Sequence, residues 1–354
     1  MIPTTIAPVL DFDLPPTLEA GQPPEARGLA RDAVRLLVSY RSDDRLVHAE
    51  FRDLPSFLLP GDLLVINTSG TLPAALPVWS QAGVSMRLHL SNRHADDRWV
   101  VELRKLAENG ETTPYFNGER EMHFSLPAGG YLTLLDPLPG QAAGKTRLWL
   151  AAFHWPLPWR RFLQLYGQPI RYNYVGQPWS IDYYQTVFAH HYGSAEMPSA
   201  GRGFTPRLIS RLVAQGIQFA PVTLHTGVAS LEADEPPYPE WFELPPATAQ
   251  LLNLAHQHGR RIIGVGTTAV RAVESAVNSS GLVEPARGWT DHLITPATPP
   301  HIINGLLTGL HEPRATHLAM LAALADARHL ELAYTEALAE KYLWHEFGDL
   351  HLLI

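Results

Sequence analysis

The sequence contains no cysteine. Disulfides, a disulfide-linked partner, thiolate nucleophiles and Cys-built zinc or iron–sulfur sites are therefore all excluded. Long apolar runs are missing too. The longest candidate, Leu318 to Ala325, falls far short of the roughly 18 residues that a membrane-crossing helix requires. There is no basic excess: 27 Lys and Arg stand against 35 Asp and Glu, a net charge of −8. That balance argues against non-specific polyanion binding while leaving room for a local basic pocket. Charged residues make up only 18% and hydrophobic ones 45%, a globular composition rather than a disordered one. No G-x-S-x-G elbow occurs, so nothing local suggests a serine hydrolase. Neither a repeat of fixed period nor a low-complexity tract is present. The opening MIPTTIAPVLDFDLPP has no basic leader and meets Asp11 and Asp13 early, which predicts no signal peptide and a soluble, cytoplasmic protein.

What is present is a chain of 354 residues with 31 prolines. That length suggests about two domains, and the prolines suggest many sharp connections. Asp62 to Ile66 reads as a buried strand after the turn Pro60-Gly61. From about Ala75 to Ala152 short β-rich runs follow one another, at 84–90, 98–104, 121–126, 130–136 and 146–152. Turns at Asn109-Gly110, Asn117-Gly118 and Gly129-Gly130 separate several of them. Alternation such as Met86, Leu88 and Leu90 against Arg87 and His89 marks strands with one buried face. Strands this short and this closely spaced predict a small antiparallel barrel inserted into a larger domain.

Beyond Pro156 the pattern becomes mixed α/β. Thr205-Pro206 opens a helix running to Gly216, and Ile217 to Leu224 is a strand ending at His225-Thr226-Gly227. Pro246 to His258 is a helix stopped by Gly259. Arg260 to Val265 is a strand, followed by Gly266-Thr267-Thr268 and a helix through Ala276. This order predicts parallel pairing with chemistry at the carboxyl ends of strands. Residues 314–328 and 329–342 read as helices and Leu350 to Ile354 as a closing strand. The expected fold is therefore mixed α/β, with residues 1–74 and 153–354 forming one discontinuous catalytic domain and 75–152 the inserted β-barrel.

The sharpest local motif is Arg261-Ile-Ile-Gly-Val-Gly-Thr-Thr-Ala-Val-Arg271, a strand entering a glycine turn that opens a helix. Free amides and hydroxyls there can hold a carboxylate or phosphate; a capped helix after a tight turn is the plain alternative. Gly264, Gly266 and Ala269 formally satisfy a dinucleotide fingerprint with Glu284 about 20 residues on. The stretch from Gly281 to Pro285 is too short and broken for the second strand that a nicotinamide-dependent oxidoreductase would need. Seventeen histidines raise the question of a metal, yet His311-Glu312-Pro313 lacks the second histidine of a zinc helix, and the expectation is a metal-free protein. His225 and His311 sit at element ends beside glycine or proline, where polar groups line sites. Arginines gather at 160, 161 and 171, at 202, 207 and 211, and at 260, 261 and 271, and together could floor an anionic groove.

In order along nearly the whole chain, these segments resemble the S-adenosylmethionine:tRNA ribosyltransferase-isomerases of queuosine biosynthesis. The resemblance runs through Asp11-Phe-Asp-Leu-Pro15, Arg31 to Leu37, Phe51-Arg-Asp-Leu-Pro55, Pro60 to Asn67 and Tyr184 to Ala189. It is most specific at Pro198-Ser-Ala-Gly201 with Phe204-Thr205, Val222-Thr-Leu-His225 with Gly227, and Val265 to Arg271. Trp289-Thr-Asp291, His311 with Pro313, and Phe347-Gly-Asp349 complete it. It implies an α/β catalytic domain carrying a β-barrel, and S-adenosylmethionine used as a ribosyl donor. The ribose would pass to the aminomethyl-deazaguanine wobble base in a tRNA anticodon loop and rearrange to epoxyqueuosine, with adenine and methionine leaving.

On the matched positions, His225, Asp291 and His311 are the candidate catalytic residues. A sulfonium acidifies the neighbouring C–H, so a base suffices to start the reaction; His225 or Asp291 is the candidate, the histidine favoured for its near-neutral pKa. Gly201, Phe204, Thr205, Gly227, Gly264, Gly266, Thr267, Thr268 and Arg271 are the candidate donor-binding positions. Among them the Gly266 turn would hold the methionine carboxylate, and Phe204 would pack on adenine or sulfonium. Asn67, Arg202 and Trp289 are candidates for the acceptor. The departures cluster at motif centres. Where the family reads N-D-T-R-V-I-P-A-R-L, this chain has Thr68, Gly70 and Ala75 in place of an aspartate and two arginines. Gly203 replaces a histidine beside Arg202, Gly309-Leu-His-Glu-Pro313 replaces an Asn-Phe-His-Leu-Pro pattern, and the proline-rich Asp234 to Trp241 replaces a histidine-containing stretch. Lost arginines remove fork-shaped ligands for phosphate or carboxylate. They raise the alternative of a diverged paralogue that binds the nucleoside and acts on a small molecule or no longer turns over.

Overall fold

The structure, a computed structural model, describes residues 10–108, 110–139, 141, 145–228 and 238–354. The opening nine residues, Asn109 of the expected Asn-Gly turn, and most of the proline-rich segment before Trp241 lie outside the described residues. In chain order the strands begin with β1 (Arg35–Tyr40), β2 (Arg45–Glu50), β3 (Leu63–Asn67) and β4 (Ser69–Thr71). The barrel strands are β5 (Ala75–Ser80), β6 (Ser85–Arg93), β7 (Trp99–Leu106), β8 (Thr112–Pro114), β9 (His123–Ser125), β10 (Tyr131–Pro137) and β11 (Leu148–His154). Helix α1 (Trp159–Tyr166), β12 (His191–Ser194), α2 (Pro206–Ala214), β13 (Gln218–Leu224), β14 (Glu240–Leu244) and α3 (Pro246–Gln257) follow. The remainder is β15 (Ile262–Val265), α4 (Thr267–Glu274), β16 (Ala286–Thr290), β17 (Gly305–Gly309), α5 (His317–Leu324), α6 (Ala327–Ala339) and β18 (Leu350–Leu353).

Nine strands form one sheet in the order β16-β14-β13-β3-β15-β17-β18-β1-β2. Its centre, β13, β3, β15 and β17, is parallel, as the helix–strand alternation predicts. All four strands end on one edge, at Asn67, Leu224, Val265 and Gly309, and that edge carries the site. Both faces are buried, so these strands are continuous apolar runs rather than alternating ones. In β3, Leu63 and Val65 join the core under α3 to α6, while Leu64 and Ile66 join the opposite core with Phe51, Leu54, Leu208 and Leu212. Helix α2 starts where expected: the Thr205 hydroxyl accepts from the Leu208 amide at 3.2 Å and Pro206 fills the first turn. The two late helices divide earlier than expected, because Asp326 caps α6 by accepting from the His329 amide at 2.8 Å.

None of the described strands in residues 75–154 joins that sheet. Six of them close an antiparallel barrel, β5-β6-β7-β11-β10-β9 and back to β5, with β8 added along the far end of β7. Its core contains Met86, Leu88 and Leu90, as alternation predicts, together with Trp99, Leu132 and Leu134; His89, expected on the open face, is instead buried because it pairs with Glu102. Among the described residues, no helix is long and apolar enough to cross a membrane.

Candidate active site

The loops leaving β13, β15 and β17 enclose two adjoining cavities of about 210 and 320 Å³. Glu196, Thr226, Thr267, Thr268, Glu312 and His317 form walls of both, so the space is one cleft. Its size matches the small-molecule range. Gly266 opens α4 with φ +88°, a left-handed conformation that a side chain would strain. Thr267 and Thr268, the first two residues of α4, line the cleft, and amides at this position of a helix have no intrahelical acceptor. Gly264 serves the packing beneath: a Cβ there would lie 2.5 Å from Val270 Cγ2.

Arg271 lines the smaller cavity, but each of its three nitrogens already has an acceptor. It pairs with Glu240 and donates to the carbonyls of His292 (3.2 Å) and Thr290 (3.3 Å). Glu240 in turn accepts from the Gly227 amide at 2.8 Å, so Arg271 braces the wall rather than offering a free fork. The barrel also holds this loop. Asn92 donates to the His225 carbonyl at 3.0 Å, and Ser91 accepts from the Val228 amide at 3.1 Å.

His311 lies in the wall of the larger cavity. Its Nε2 meets the Thr308 hydroxyl at 2.9 Å, and its ring stacks on His317 at 4.6 Å. Burial, then the nearby imidazoles of His317, His345 and His351, hold it well below the usual histidine range. His225 is placed differently. Its ring stacks on Trp241 at 5.3 Å, its Nδ1 meets Ser69 Oγ at 2.8 Å, and Ser69 meets Ser194 at 2.6 Å. It does not line the cleft. Burial, helped by His191 and Arg160, pushes it down to about 4; the same direction of shift holds at His311, so it is the place outside the cleft walls that sets His225 apart from His311 as a base. Asp291 is exposed and outside the cleft walls.

Five other expected ligand positions are engaged in structural contacts. Phe204 has no exposed surface and packs edge-on against Phe51 at 5.0 Å and against Phe188 at 5.1 Å; a ring enclosed by rings has no face left for adenine. Asn67 has spent its amide: Nδ2 donates to the Leu224 carbonyl (2.9 Å) and Thr268 Oγ1 (3.1 Å), and Oδ1 accepts from the Ser69 and Leu224 amides. It ties the ends of β3 and β13 to α4. Arg202 is buried, paired with Glu25 at 2.7 Å and donating to the Tyr183 carbonyl at 2.9 Å. Thr205 caps α2 and donates to Asp32 at 3.0 Å, and Gly201 lies against Thr186 and Phe188. Trp289 is 40% exposed and stacks on the barrel's His94 at 4.6 Å, so it remains open to a partner. Two departures are filled locally. A Cβ at Gly70 would meet Tyr192 at 2.7 Å, and one at Gly203 would meet Phe51 at 2.7 Å.

The order of elements and the cleft at the strand ends invite comparison with known proteins. The family described as queuosine biosynthesis protein matches residues 8–353. This chain belongs to that family. Its relatives include the S-adenosylmethionine:tRNA ribosyltransferase-isomerase of Symbiobacterium thermophilum, 34% identical over 97% of this chain and 98% of the relative. The protein of the same name from Thermotoga maritima is 32% identical over 97% and 98%. A solved structure, the S-adenosylmethionine tRNA ribosyltransferase of Thermotoga maritima, aligns with TM-score 0.53 at 28% identity, covering 98% of this chain and all of that one. The queuosine family is thus matched end to end, barrel included.

Within this family member the cleft contains groups that motif reading overlooks. Glu196, Glu346, Tyr172 and Tyr174 all line the larger cavity. They arrive from separate segments without a local signature. Among the described residues, no group of three or more His, Asp or Glu is placed to hold a metal ion.

Proposed function

We propose that the protein transfers the ribosyl moiety of S-adenosylmethionine to the aminomethyl-deazaguanine wobble base of tRNA, forming epoxyqueuosine and releasing adenine and methionine. The observation that carries this reading is end-to-end similarity to relatives of that name, together with a cleft of nucleoside size at the carboxyl ends of the parallel strands. No observation favours the diverged paralogue: the substitutions at Gly70 and Gly203 are accommodated by Tyr192 and Phe51.

The donor lies in the cleft with its methionine carboxylate on the Gly266-Thr267-Thr268 turn, where the α4 amides and positive helix end favour an anion. Arg271, Asn67 and Gly227 set the shape of that turn. His311 is the cavity-wall candidate for receiving a proton from the carbon beside the sulfonium; its imidazole, kept neutral by burial, can accept one. His225 acts as a positioning residue behind the loop after β13. Trp289 and His94, at the seam between sheet and barrel, offer an aromatic surface to an unstacked base.

The test is adenine release from S-adenosylmethionine in the presence of tRNA carrying the precursor base. Wild type should release adenine, and His311→Ala should lose roughly 100-fold or more in kcat. Asp291→Asn, on an exposed residue, should stay within about twofold. Tight donor binding without adenine would defeat the reading, and full turnover by His311→Ala would remove its assigned role.

A further inference from the structure

Glu346 sits on the turn between α6 and β18. Its Oε1 is shielded from solvent and has no hydrogen-bond partner, yet the residue forms part of the larger cavity's wall. The turn beneath it is fixed. Asp349 accepts from the amides of Leu343 (2.7 Å) and Arg35 (2.8 Å), and a Cβ at Gly348 would lie 2.3 Å from the Leu343 carbonyl oxygen. His345 is held at φ +71° with its ring stacked on Tyr174 at 4.2 Å. Backbone movement therefore cannot easily carry the carboxyl group out to water.

Glu196 faces the same cavity, and its carboxylate accepts a hydrogen bond from the Tyr172 hydroxyl. Burial, then the charge of Glu196, pushes the Glu346 carboxyl up to about 8, with Arg202 pulling the other way. That arginine is already paired with Glu25. The hydroxyls of Tyr172, Tyr174 and Tyr184 also lie near Glu346, and Arg31, itself paired with Glu25, lines a small pocket with it on the other side. Across the cavity stand His311, His345 and Glu312. A buried acceptor without a donor is costly, and two carboxyl groups in one desolvated space are costly to ionise together. A cation bearing N–H groups in the cavity, met by rotation of the Glu346 carboxyl group toward it, relieves both.

The same cavity includes Gly266, Thr267 and Thr268, the amide-rich start of an eight-residue helix suited to an anion. An α-amino acid carries an anion and an N–H cation on one carbon. We propose that Glu346, with Glu196 beside it, receives the α-ammonium group at the methionine end of the donor. This rests on the functional reading above and names the contact that orients the donor. One balanced proton step accompanies it: the carboxylic acid of Glu346 ionises as the ammonium arrives, and its proton passes to solvent.

The experiment compares S-adenosylmethionine with its analogue lacking the α-amino group, titrated calorimetrically into wild type and Glu346→Gln. Wild type should prefer the donor over the analogue by roughly tenfold or more, the scale of a charge-assisted hydrogen bond. In Glu346→Gln the preference should fall to within about threefold, with affinity for the analogue itself unchanged. An unchanged preference in a folded variant overturns the assignment while leaving the functional reading intact; a wild type that binds neither compound overturns both. A second measurement needs no variant. Wild-type titrations near pH 7 in two buffers of different ionisation heat should show a proton released with the donor and not with the analogue. Equal proton release for both overturns the assignment.

Discussion

His225 shows how far a residue's surroundings override its type. Free imidazole titrates near neutrality, but here burial, then the nearby His191 and Arg160, depresses it to about 4. A histidine pKa lowered on folding contributes stability that is present above about 6.5 and lost as pH falls toward 4, because the unfolded chain takes the proton first. His225→Gln should therefore flatten the acid side of the stability curve by about 1–3 kcal/mol relative to wild type, measured by urea unfolding between pH 4 and pH 7. The sequence motif located this backbone, at the exit of a strand beside the cleft, but not the direction of its ring. Phe204 and Asn67 fall under the same limit. Each occupies a motif position and each faces inward, one among aromatic rings and the other onto the amides of Ser69 and Leu224. Glu346 was illegible for the opposite reason: a glutamate carries no local sign that its oxygen will be enclosed.

At the scale of elements the sequence spoke more clearly, since caps and apolar runs are local signals. The helix opened by Thr205-Pro206 and the buried run 63–66 form as expected. Thr205→Ala should cost about 1 kcal/mol through the lost cap, seen in chemical denaturation. Donor affinity should stay unchanged, because the hydroxyl serves the helix and Asp32 instead of the cleft. A joint loss of affinity would return Thr205 to the site. Strand order is a different kind of information. No local pattern says that β18 slots between β17 and β1, or that β14 and β16 extend the far edge antiparallel, because pairing is decided by contacts between distant segments. The seam between α5 and α6 was misplaced for a smaller reason: a single aspartate capping the second helix outweighed a continuous apolar reading.

For the whole molecule, the sheet and the barrel share no strand and meet through the loop after β13 and the Trp289–His94 stack. The barrel holds its own buried charge cluster. Glu102, 2% exposed, pairs with Arg104 at 2.7 Å, Arg147 at 3.3 Å and His89 at 3.4 Å. Burial alone would raise Glu102, yet His89 and the two arginines outweigh it and hold it near 2. Glu102→Ala strands two guanidinium groups and should cost about 3–5 kcal/mol. Calorimetry should place that loss in a barrel transition while the nine-stranded sheet keeps its own; a single shared transition would show that the two layers melt as one. The placement of β18 bears on how the protein is made. Among the described residues, the hairpin of β1 and β2 pairs with the rest of its sheet through β18 and the adjoining Ile354. At roughly 5–20 residues per second, translation leaves that hairpin waiting on the order of tens of seconds. A nascent chain must therefore shield an apolar ribbon throughout, and folding helpers that bind early-emerging segments should matter more to its yield than those acting late.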